Sequence, residues 1–255
     1  MINLRLGDCL EVMKSLPSQS IDLTVTSPPY DNLRTYNGYS FDFEGIAKEL
    51  YRLTKDGGVV VWVVGDATIN GSETGTSFKQ ALYFKDIGFN LHDTMIWKKP
   101  NFANPSSNRY HQTFEYMFIL SKNKPNTFNS IKDRKNIYCG SLGSVGKNTS
   151  TQIDGTKKIR ERKVISEFGQ RHNVWEINTS GQENMGKTIN HPATFPEKLV
   201  FDHIISWSNE GDVVLDCFLG SGTTGKVAKQ LNRQFIGIEI SPEYLEIAKN
   251  RIEQY

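Results

Sequence analysis

The sequence DCFLGSGTTG, residues 216–225, follows the apolar run 213–215 and precedes a segment with helical spacing. Glycines in such a loop let the backbone turn tightly and approach a ligand closely. The start of the following helix adds free N–H groups and the positive end of the helix dipole. The next apolar run ends at Glu239, whose carboxylate can accept both ribose hydroxyls of a nucleoside. The unit therefore predicts a cofactor that contains a nucleoside.

The same glycines, Gly220, Gly222 and Gly225, satisfy the GxGxxG pattern of dinucleotide-binding enzymes, so a nicotinamide oxidoreductase has to be weighed. A dinucleotide fold normally begins with this unit. Here the unit begins near residue 212 of a chain of 255 residues. Most strands of the sheet must therefore come from the N-terminal half. This order indicates a permuted α/β sheet and disfavours the oxidoreductase.

A second motif, Thr26-Ser27-Pro28-Pro29-Tyr30, ends an alternating strand at residues 21–25. Ligands of open α/β sheets bind at the carboxyl ends of strands. The two prolines fix φ and stiffen the loop. The Ser27 hydroxyl and the Pro28 carbonyl can both accept a hydrogen bond from an amino group, and Tyr30 can stack on a base swung out of a duplex. The motif predicts a site that aligns an exocyclic amine.

Together the two motifs resemble the permuted, beta-type class of DNA amino-methyltransferases, in which the catalytic block precedes a target-recognition region and the cofactor block follows it. The resemblance covers nearly the whole chain apart from residues 122–187. It implies an α/β fold with a mostly parallel seven-stranded methyltransferase sheet, helices on both faces, circular permutation and an inserted recognition region. The expected parts are a catalytic half (1–121), an inserted target-recognition region (122–187) and a cofactor-binding half (188–255).

The resemblance also implies S-adenosylmethionine as the cofactor and double-stranded DNA as the partner. It puts Asp8 at the adenine end of the cofactor, Glu239 at the ribose and residues 218–224 around the methionine end. The expected cofactor-binding residues are Asp8, Asp216, Phe218, Gly220, Gly222, Thr223, Thr224 and Glu239. The expected catalytic residues are Ser27, Pro28, Pro29 and Tyr30.

Residue 27 bears on the choice of base. Relatives with aspartate or asparagine at this position mostly methylate adenine N6, and those with serine mostly methylate cytosine N4. Ser27 therefore implies cytosine N4 of a flipped base, with adenine N6 as the alternative. Methylation of cytosine C5 needs a thiolate nucleophile, and none of Cys9, Cys139 and Cys217 lies in a loop like the proline-tyrosine loop. A catalytically silent, DNA-binding relative is the alternative from another class.

Charge is distributed unevenly along the chain. Residues 122–187 contain 13 Lys/Arg and 6 Asp/Glu, whereas the whole chain has a formal net charge of only +2. A basic segment on an otherwise acidic chain indicates a polyanionic partner, with a solvated basic loop as the alternative. The candidate DNA-binding residues are Lys98, Lys99, Asn101, Lys157, Lys158, Arg160, Arg162 and Lys163.

Composition limits the remaining function classes. The five histidines show no ligand spacing and the three cysteines lie far apart, so no metal is expected. No signal-peptide run and no membrane-spanning run is present, which predicts a cytoplasmic protein. The DNA partner that the resemblance implies makes it an expected nucleoid-associated one. The expected setting is a restriction-modification, phage or epigenetic system. A homodimer stays open.

Overall fold

The computed structural model describes residues 1–29, 41–102, 105–141, 149–159, 164–179 and 195–254. The chain forms two compact units. The larger unit contains Met1–Asn129 and Asn173–Tyr255, and the smaller unit contains Ser130–His172. The three functional parts expected from the sequence stay a prediction. None of the helices in the described ranges is both long enough and apolar enough to cross a membrane.

The larger unit alternates strands and helices along most of its length. Its strands are β1 (Ile2–Leu6), β2 (Ile21–Thr26), β3 (Thr54–Val64), β4 (Thr68–Ile69), β5 (Ser72–Glu73), β6 (Asn90–Lys98), β7 (Phe114–Ser121), β12 (Val174–Glu176), β13 (Val213–Asp216) and β14 (Gln234–Glu239). Its helices are α1 (Cys9–Lys14), α2 (Phe43–Leu53), α3 (Thr76–Asp86), α4 (Glu197–Trp207), α5 (Thr223–Gln230) and α6 (Pro242–Glu253).

One eight-stranded sheet organises this unit, in the order β1-β14-β13-β2-β3-β7-β6-β12. All neighbours are parallel except β7, which is antiparallel to both β3 and β6. The C-terminal strands β13 and β14 lie between β1 and β2, which confirms the permuted, mostly parallel α/β sheet. The sheet has one strand more than the seven expected, because β12 pairs with the outer edge of β6.

The centre of the sheet is covered on both faces. Side chains alternate between the two faces of a strand, yet every residue from Val59 to Val64 in β3 is at most 2% exposed. Both faces of this strand are therefore covered, as its unbroken apolar run predicts. The last helix, α6, begins after Ser241, whose hydroxyl accepts from the Tyr244 N–H at 3.4 Å. The hydroxyl therefore caps the first turn of the helix, which is the usual role of a serine at this position.

Within the described residues of the smaller unit, four short strands form two antiparallel pairs. They are β8 (Arg134–Lys135), β9 (Thr149–Thr151), β10 (Lys157–Ile159) and β11 (Phe168–Gly169). β9 pairs with β10, and β8 pairs with β11. The guanidinium of Arg171 forms an ion pair with Asp133 inside this unit.

Candidate active site

Four parallel strands bring the predicted catalytic and cofactor residues to one edge of the sheet. β1, β14, β13 and β2 are neighbours, so their carboxyl ends meet. Glu239 is the last residue of β14, Asp216 is the last of β13 and Ser27 directly follows β2. Asp8 stands two residues beyond the end of β1. The fold therefore collects residues that are distant in sequence at a single site.

Glu239 is positioned to receive hydroxyl groups. The residue is 9% exposed, Oε2 accepts from the Gly220 N–H at 2.8 Å, and Oε1 accepts from the Ser241 N–H at 3.0 Å. An ionised carboxylate offers about four lone-pair positions, so acceptor capacity remains beyond these two bonds. The two N–H donors fix the direction of the group. This geometry fits the two adjacent hydroxyls of a ribose.

The glycine loop has the backbone that its sequence predicts. Gly220 and Gly222 adopt left-handed φ values of 51° and 80°. A Cβ added at Gly222 would lie 2.7 Å from the Cβ of Ala248 in α6, so a larger residue does not fit. Gly222 also caps α5, whose first residues, Thr223 and Thr224, are at most 4% exposed. The loop is therefore compact, with the N-terminus of α5 next to it.

Asp216 connects the glycine loop to the catalytic strand. Its Oδ1 accepts from the Thr26 hydroxyl at 2.7 Å and from the Phe218 N–H at 3.1 Å, and its Oδ2 accepts from the Thr224 hydroxyl at 2.7 Å. Burial raises the pKa of this carboxyl from 3.8 to about 6, against these hydrogen bonds, which favour the charged form. All three hydrogen bonds are donated by groups of the protein itself. They support a role for Asp216 in shaping the site, and its expected contact with the cofactor stays a prediction.

Asp8 is the N-cap of α1. Its Oδ1 accepts from the N–H groups of Leu10 at 2.9 Å and Glu11 at 3.2 Å. This is the usual arrangement of an aspartate at the start of a helix. The helix cap fixes the side chain at the carboxyl edge of β1, and the expected contact with adenine stays a prediction.

The cysteines near this edge are poor nucleophiles. Burial raises the pKa of the Cys9 thiol to about 12 and that of the Cys217 thiol well above its ordinary value. Both thiols are therefore protonated at neutral pH, whereas attack on a base carbon needs a thiolate. Cys139 is exposed and belongs to the smaller unit. These environments argue against methylation of cytosine C5.

The proline-tyrosine loop is described in part. Pro28 is buried, and Ser27 and Pro29 are partly buried. Tyr30 lies outside the described residues, so its stacking role stays a prediction. Thr26, which holds Asp216, directly precedes Ser27 and is fully buried. Ser27, the expected catalytic serine, thus follows a residue that is hydrogen-bonded to the start of the glycine loop.

An aromatic cluster packs against Phe218 of the glycine loop. The Phe218 ring centroid lies 5.8 Å from Phe41 and 6.3 Å from Trp62. The Trp62 indole N–H donates to Gln80 Oε1 of α3 at 2.9 Å. Phe218 is partly buried and packs against the core. Its ring is therefore covered only in part, and its contacts with the core fix its orientation.

The candidate DNA-binding residues fall into two groups. Lys98 ends β6, which runs parallel to β2, so it lies at the same edge of the sheet as Ser27. Its ammonium lies 2.7 Å from Glu176. Lys99 forms an ion pair with Glu115 and lies 4.9 Å from the Trp97 ring centroid. Each cation thus already has a carboxylate partner.

The remaining candidates are less fully described. Asn101 is exposed and follows Lys98 and Lys99. Lys157 and Lys158 lie in β10 of the smaller unit. Arg160, Arg162 and Lys163 lie outside the described residues. Among the residues that are described, no group of His, Cys, Asp and Glu side chains could hold a metal ion.

Two hydrogen bonds at the candidate site were not expected from the sequence. Thr26 and Asp216 are 190 positions apart, and Arg251 and Ser221 are 30 apart. Neither pair has a local signature, because each depends on which strands and helices become neighbours. The first pair could be anticipated only from the strand order, in which β2 lies beside β13.

Comparison with known proteins agrees with this geometry. Residues 21–250 match the N6/N4 methyltransferase family model, which is described as DNA methylase. The chain is 56% identical over 254 residues to the orphan methyltransferase M.BamHII of Bacillus amyloliquefaciens, covering 98% of this chain and 91% of that protein. It is 30% identical over 291 residues to the type II methyltransferase M.SmaI of Serratia marcescens, covering 96% and 89%.

Solved structures share the fold. The PvuII DNA methyltransferase, which is named as cytosine-N4-specific, superposes with a TM-score of 0.69 at 24% identity, covering 98% of this chain and 86% of that one. A DNA modification methylase of Thermus thermophilus, named as putative and solved with S-adenosylmethionine, superposes with a TM-score of 0.67 at 23% identity, covering 100% and 94%. With the site geometry and the family match over residues 21–250, the chain belongs to the DNA methylase family of N6- and N4-directed amino-methyltransferases.

Proposed function

We propose that this DNA methyltransferase transfers a methyl group to N4 of a flipped cytosine in double-stranded DNA. The observation that carries the proposal is the location of Ser27. It directly follows β2, beside the strand β13 that leads into the glycine loop, and its neighbour Thr26 donates a hydrogen bond to Asp216. An amine held at Ser27 therefore lies next to the cofactor loop.

S-adenosylmethionine, the methyl donor of the family, supplies an electrophilic methyl group on a sulfonium sulfur when it is bound. Glu239 is oriented to hold its ribose, because the carboxylate is fixed by two backbone N–H groups and keeps acceptor capacity. The N-terminus of α5, with Thr223, favours the methionine carboxylate, because N–H groups and the helix dipole attract an anion. The chain thus binds the cofactor at both of its polar ends.

Ser27 and Pro28 orient the substrate. The Ser27 hydroxyl oxygen and the Pro28 carbonyl each accept one N–H of the cytosine amino group, which directs the nitrogen lone pair at the methyl group. Alignment of this kind lowers the barrier without a charged base. The proton released from the methylated nitrogen passes to water. A neutral serine is sufficient for these steps. Because relatives with serine at this position mostly methylate cytosine N4, we favour cytosine N4 over adenine N6.

DNA contacts follow from charge and from location. Lys98, Lys99 and Asn101 contact the DNA at the edge of the sheet that carries Ser27. The phosphate backbone is bound by the remaining basic candidates, which are Lys157, Lys158, Arg160, Arg162 and Lys163. Lysine contacts to phosphate release counterions, so affinity should fall steeply as salt rises. A homodimer, nucleoid association and a restriction-modification setting are further parts of the proposal.

The decisive experiment is sequencing, with a method that reports modified bases, of DNA from cells that express the protein. N4-methylcytosine at a defined sequence supports the proposal, and N6-methyladenine would establish the alternative base. Bound DNA without any methyl transfer from labelled S-adenosylmethionine would instead indicate the catalytically silent, DNA-binding relative.

The role of Ser27 is tested by Ser27→Ala. We expect methyl transfer to fall by more than about 10-fold, the effect of losing one aligning contact, while cofactor affinity stays within about twofold. Ser72→Ala, on the exposed strand β5, is the matched control and should change neither quantity. Equal losses of transfer and cofactor affinity would show that Ser27 serves the cofactor rather than the amine.

A further inference from the structure

Helix α6 packs directly against the back of the glycine loop. A Cβ at Gly222 would lie 2.7 Å from the Ala248 Cβ, and a Cβ at Gly225 would lie 2.5 Å from the Ile252 Cδ1. Ala248 and Ile252 are four residues apart, so they lie on the same face of the helix. The two glycines therefore allow a close approach between α6 and the loop.

Arg251 lies beside this contact and binds the loop through its guanidinium. Its Nη1 donates to the Ser221 carbonyl at 2.8 Å, to the Ser221 hydroxyl at 2.8 Å and to the Thr223 hydroxyl at 3.3 Å. The side chain is 17% exposed, so water competes little for these donors. Hydrogen bonds from a charged donor are roughly twice as strong as neutral ones. Arg251 therefore fixes both the backbone and the side chains of residues 221–223.

The same guanidinium is held in place from its other side. Its Nη2 lies 3.3 Å from Glu197 Oε1, which also accepts from the Lys226 ammonium at 2.7 Å. Glu197 begins α4, and Lys226 belongs to α5 and is only 7% exposed. Three helices thus meet at one carboxylate.

We propose that Arg251 is a positioning residue of the cofactor site: it holds Ser221 and Thr223 so that the N-terminus of α5 is shaped to receive the methionine carboxylate of the cofactor. This inference rests on the proposed function, because it assumes that the glycine loop binds S-adenosylmethionine. Arg251 acts on the cofactor site through its hydrogen bonds to Ser221 and Thr223. Its effect should therefore depend on whether the ligand carries the amino-acid end.

Two ligands separate a positioning role from a general effect on folding. S-adenosylhomocysteine carries the amino-acid end, and 5′-methylthioadenosine keeps the adenosine but lacks that end. Calorimetric titration with both compounds would use the full-length chain, Arg251→Met and Arg251→Lys. Lys249→Met removes one positive charge from the exposed part of the same helix and is the matched control.

We expect Arg251→Met to bind S-adenosylhomocysteine about 10-fold or more weakly, the usual effect of removing a charge-assisted hydrogen bond. Its affinity for methylthioadenosine should stay within about twofold of wild type. Arg251→Lys should recover part of the lost affinity, because an ammonium can still reach one of the acceptors. Lys249→Met should bind both ligands as the wild type does.

Two outcomes would overturn the positioning role alone. In one, Arg251→Met binds S-adenosylhomocysteine as tightly as the wild type. In the other, both ligands weaken equally in Arg251→Met and in Arg251→Lys, which indicates loss of fold rather than loss of position. A wild-type chain that binds neither ligand would overturn the proposed function itself, and with it this inference.

Discussion

The buried carboxyl of Asp216 makes stability depend on pH in an unusual direction. Its pKa is about 6 in the folded protein and 3.8 as the ordinary value, and burial is the largest cause. The folded state therefore holds the proton more tightly than the unfolded state. The stabilisation that protonated Asp216 gives the folded state is fully present below pH 3.8 and is lost as the pH rises to about 6.

The size of the effect follows from the shift. One pKa unit corresponds to about 1.4 kcal/mol, so a shift of about two units costs the folded state about 3 kcal/mol once Asp216 is ionised. Asp216→Asn removes that cost, because an amide stays neutral. The amide oxygen can accept from Thr26 and from the Phe218 N–H, and its NH2 can donate to the Thr224 hydroxyl oxygen after that hydroxyl rotates.

We therefore expect Asp216→Asn to gain stability relative to wild type as the pH rises, by about 3 kcal/mol between roughly pH 4 and pH 8. Urea unfolding followed by fluorescence of the four tryptophans measures the difference at each pH. Groups that titrate alike in both proteins cancel in this comparison. A difference that stays constant over the whole range would refute the reasoning.

Thr224→Val provides a second variant with the opposite expectation. It removes a hydrogen bond that stabilises the charged form of Asp216. The loss of stability relative to wild type should therefore be larger above pH 6, where the carboxylate is charged, than below it. An equal loss on both sides of this pH would mean that Thr224 acts through packing alone.

Two further predictions concern stability at other positions. Gly222→Ala should lower the free energy of unfolding much more than Gly71→Ala, because both have φ near 80° but only at Gly222 does a Cβ meet other atoms within 4 Å. Gly71→Ala should cost about 1–2 kcal/mol of backbone strain, and similar losses at both sites, measured by urea unfolding, would contradict the packing argument. Arg233→Met should lower the free energy of unfolding by about 2–4 kcal/mol. It removes the guanidinium donors that bind the Ser208 hydroxyl, the Ser208 carbonyl and the Leu231 carbonyl in a buried setting. Its affinity for S-adenosylhomocysteine by calorimetry should not change, and a stability loss below about 0.5 kcal/mol would be inconsistent with this interpretation.

Local signals made much of the fold predictable. β2 and α6 form close to where apolar alternation, Ser241 and Pro242 indicate them. The unbroken apolar run of β3 predicts a strand covered on both faces, and the structure has it. The permuted order follows from the location of the glycine loop near the C-terminus. Each of these signals lies within a few residues of the element that it predicts.

Contacts that depend on register were out of reach. The sequence presents Lys98 and Lys99 as cations available to DNA, yet Lys98 lies opposite Glu176 and Lys99 pairs with Glu115, which lies opposite Trp97. Only the strand pairing reveals these carboxylates. β12 was missed for a related reason, since three residues within a polar segment show no period.

The charge arrangement around the proline-tyrosine loop gives a physical reason for a serine at position 27. Asp216 and Glu239 already bring two carboxyl groups to this edge of the sheet, and the charge of Glu239 contributes to the raised pKa of Asp216. Thr26, the residue directly before Ser27, donates a hydrogen bond to Asp216. An aspartate at position 27 would add a third negative charge next to this pair, which would raise the pKa of Asp216 further and cost stability at neutral pH. A hydroxyl at position 27 supplies the acceptor that an amine needs without that repulsion, so the charge balance of the site and the orientation of the substrate favour the same residue.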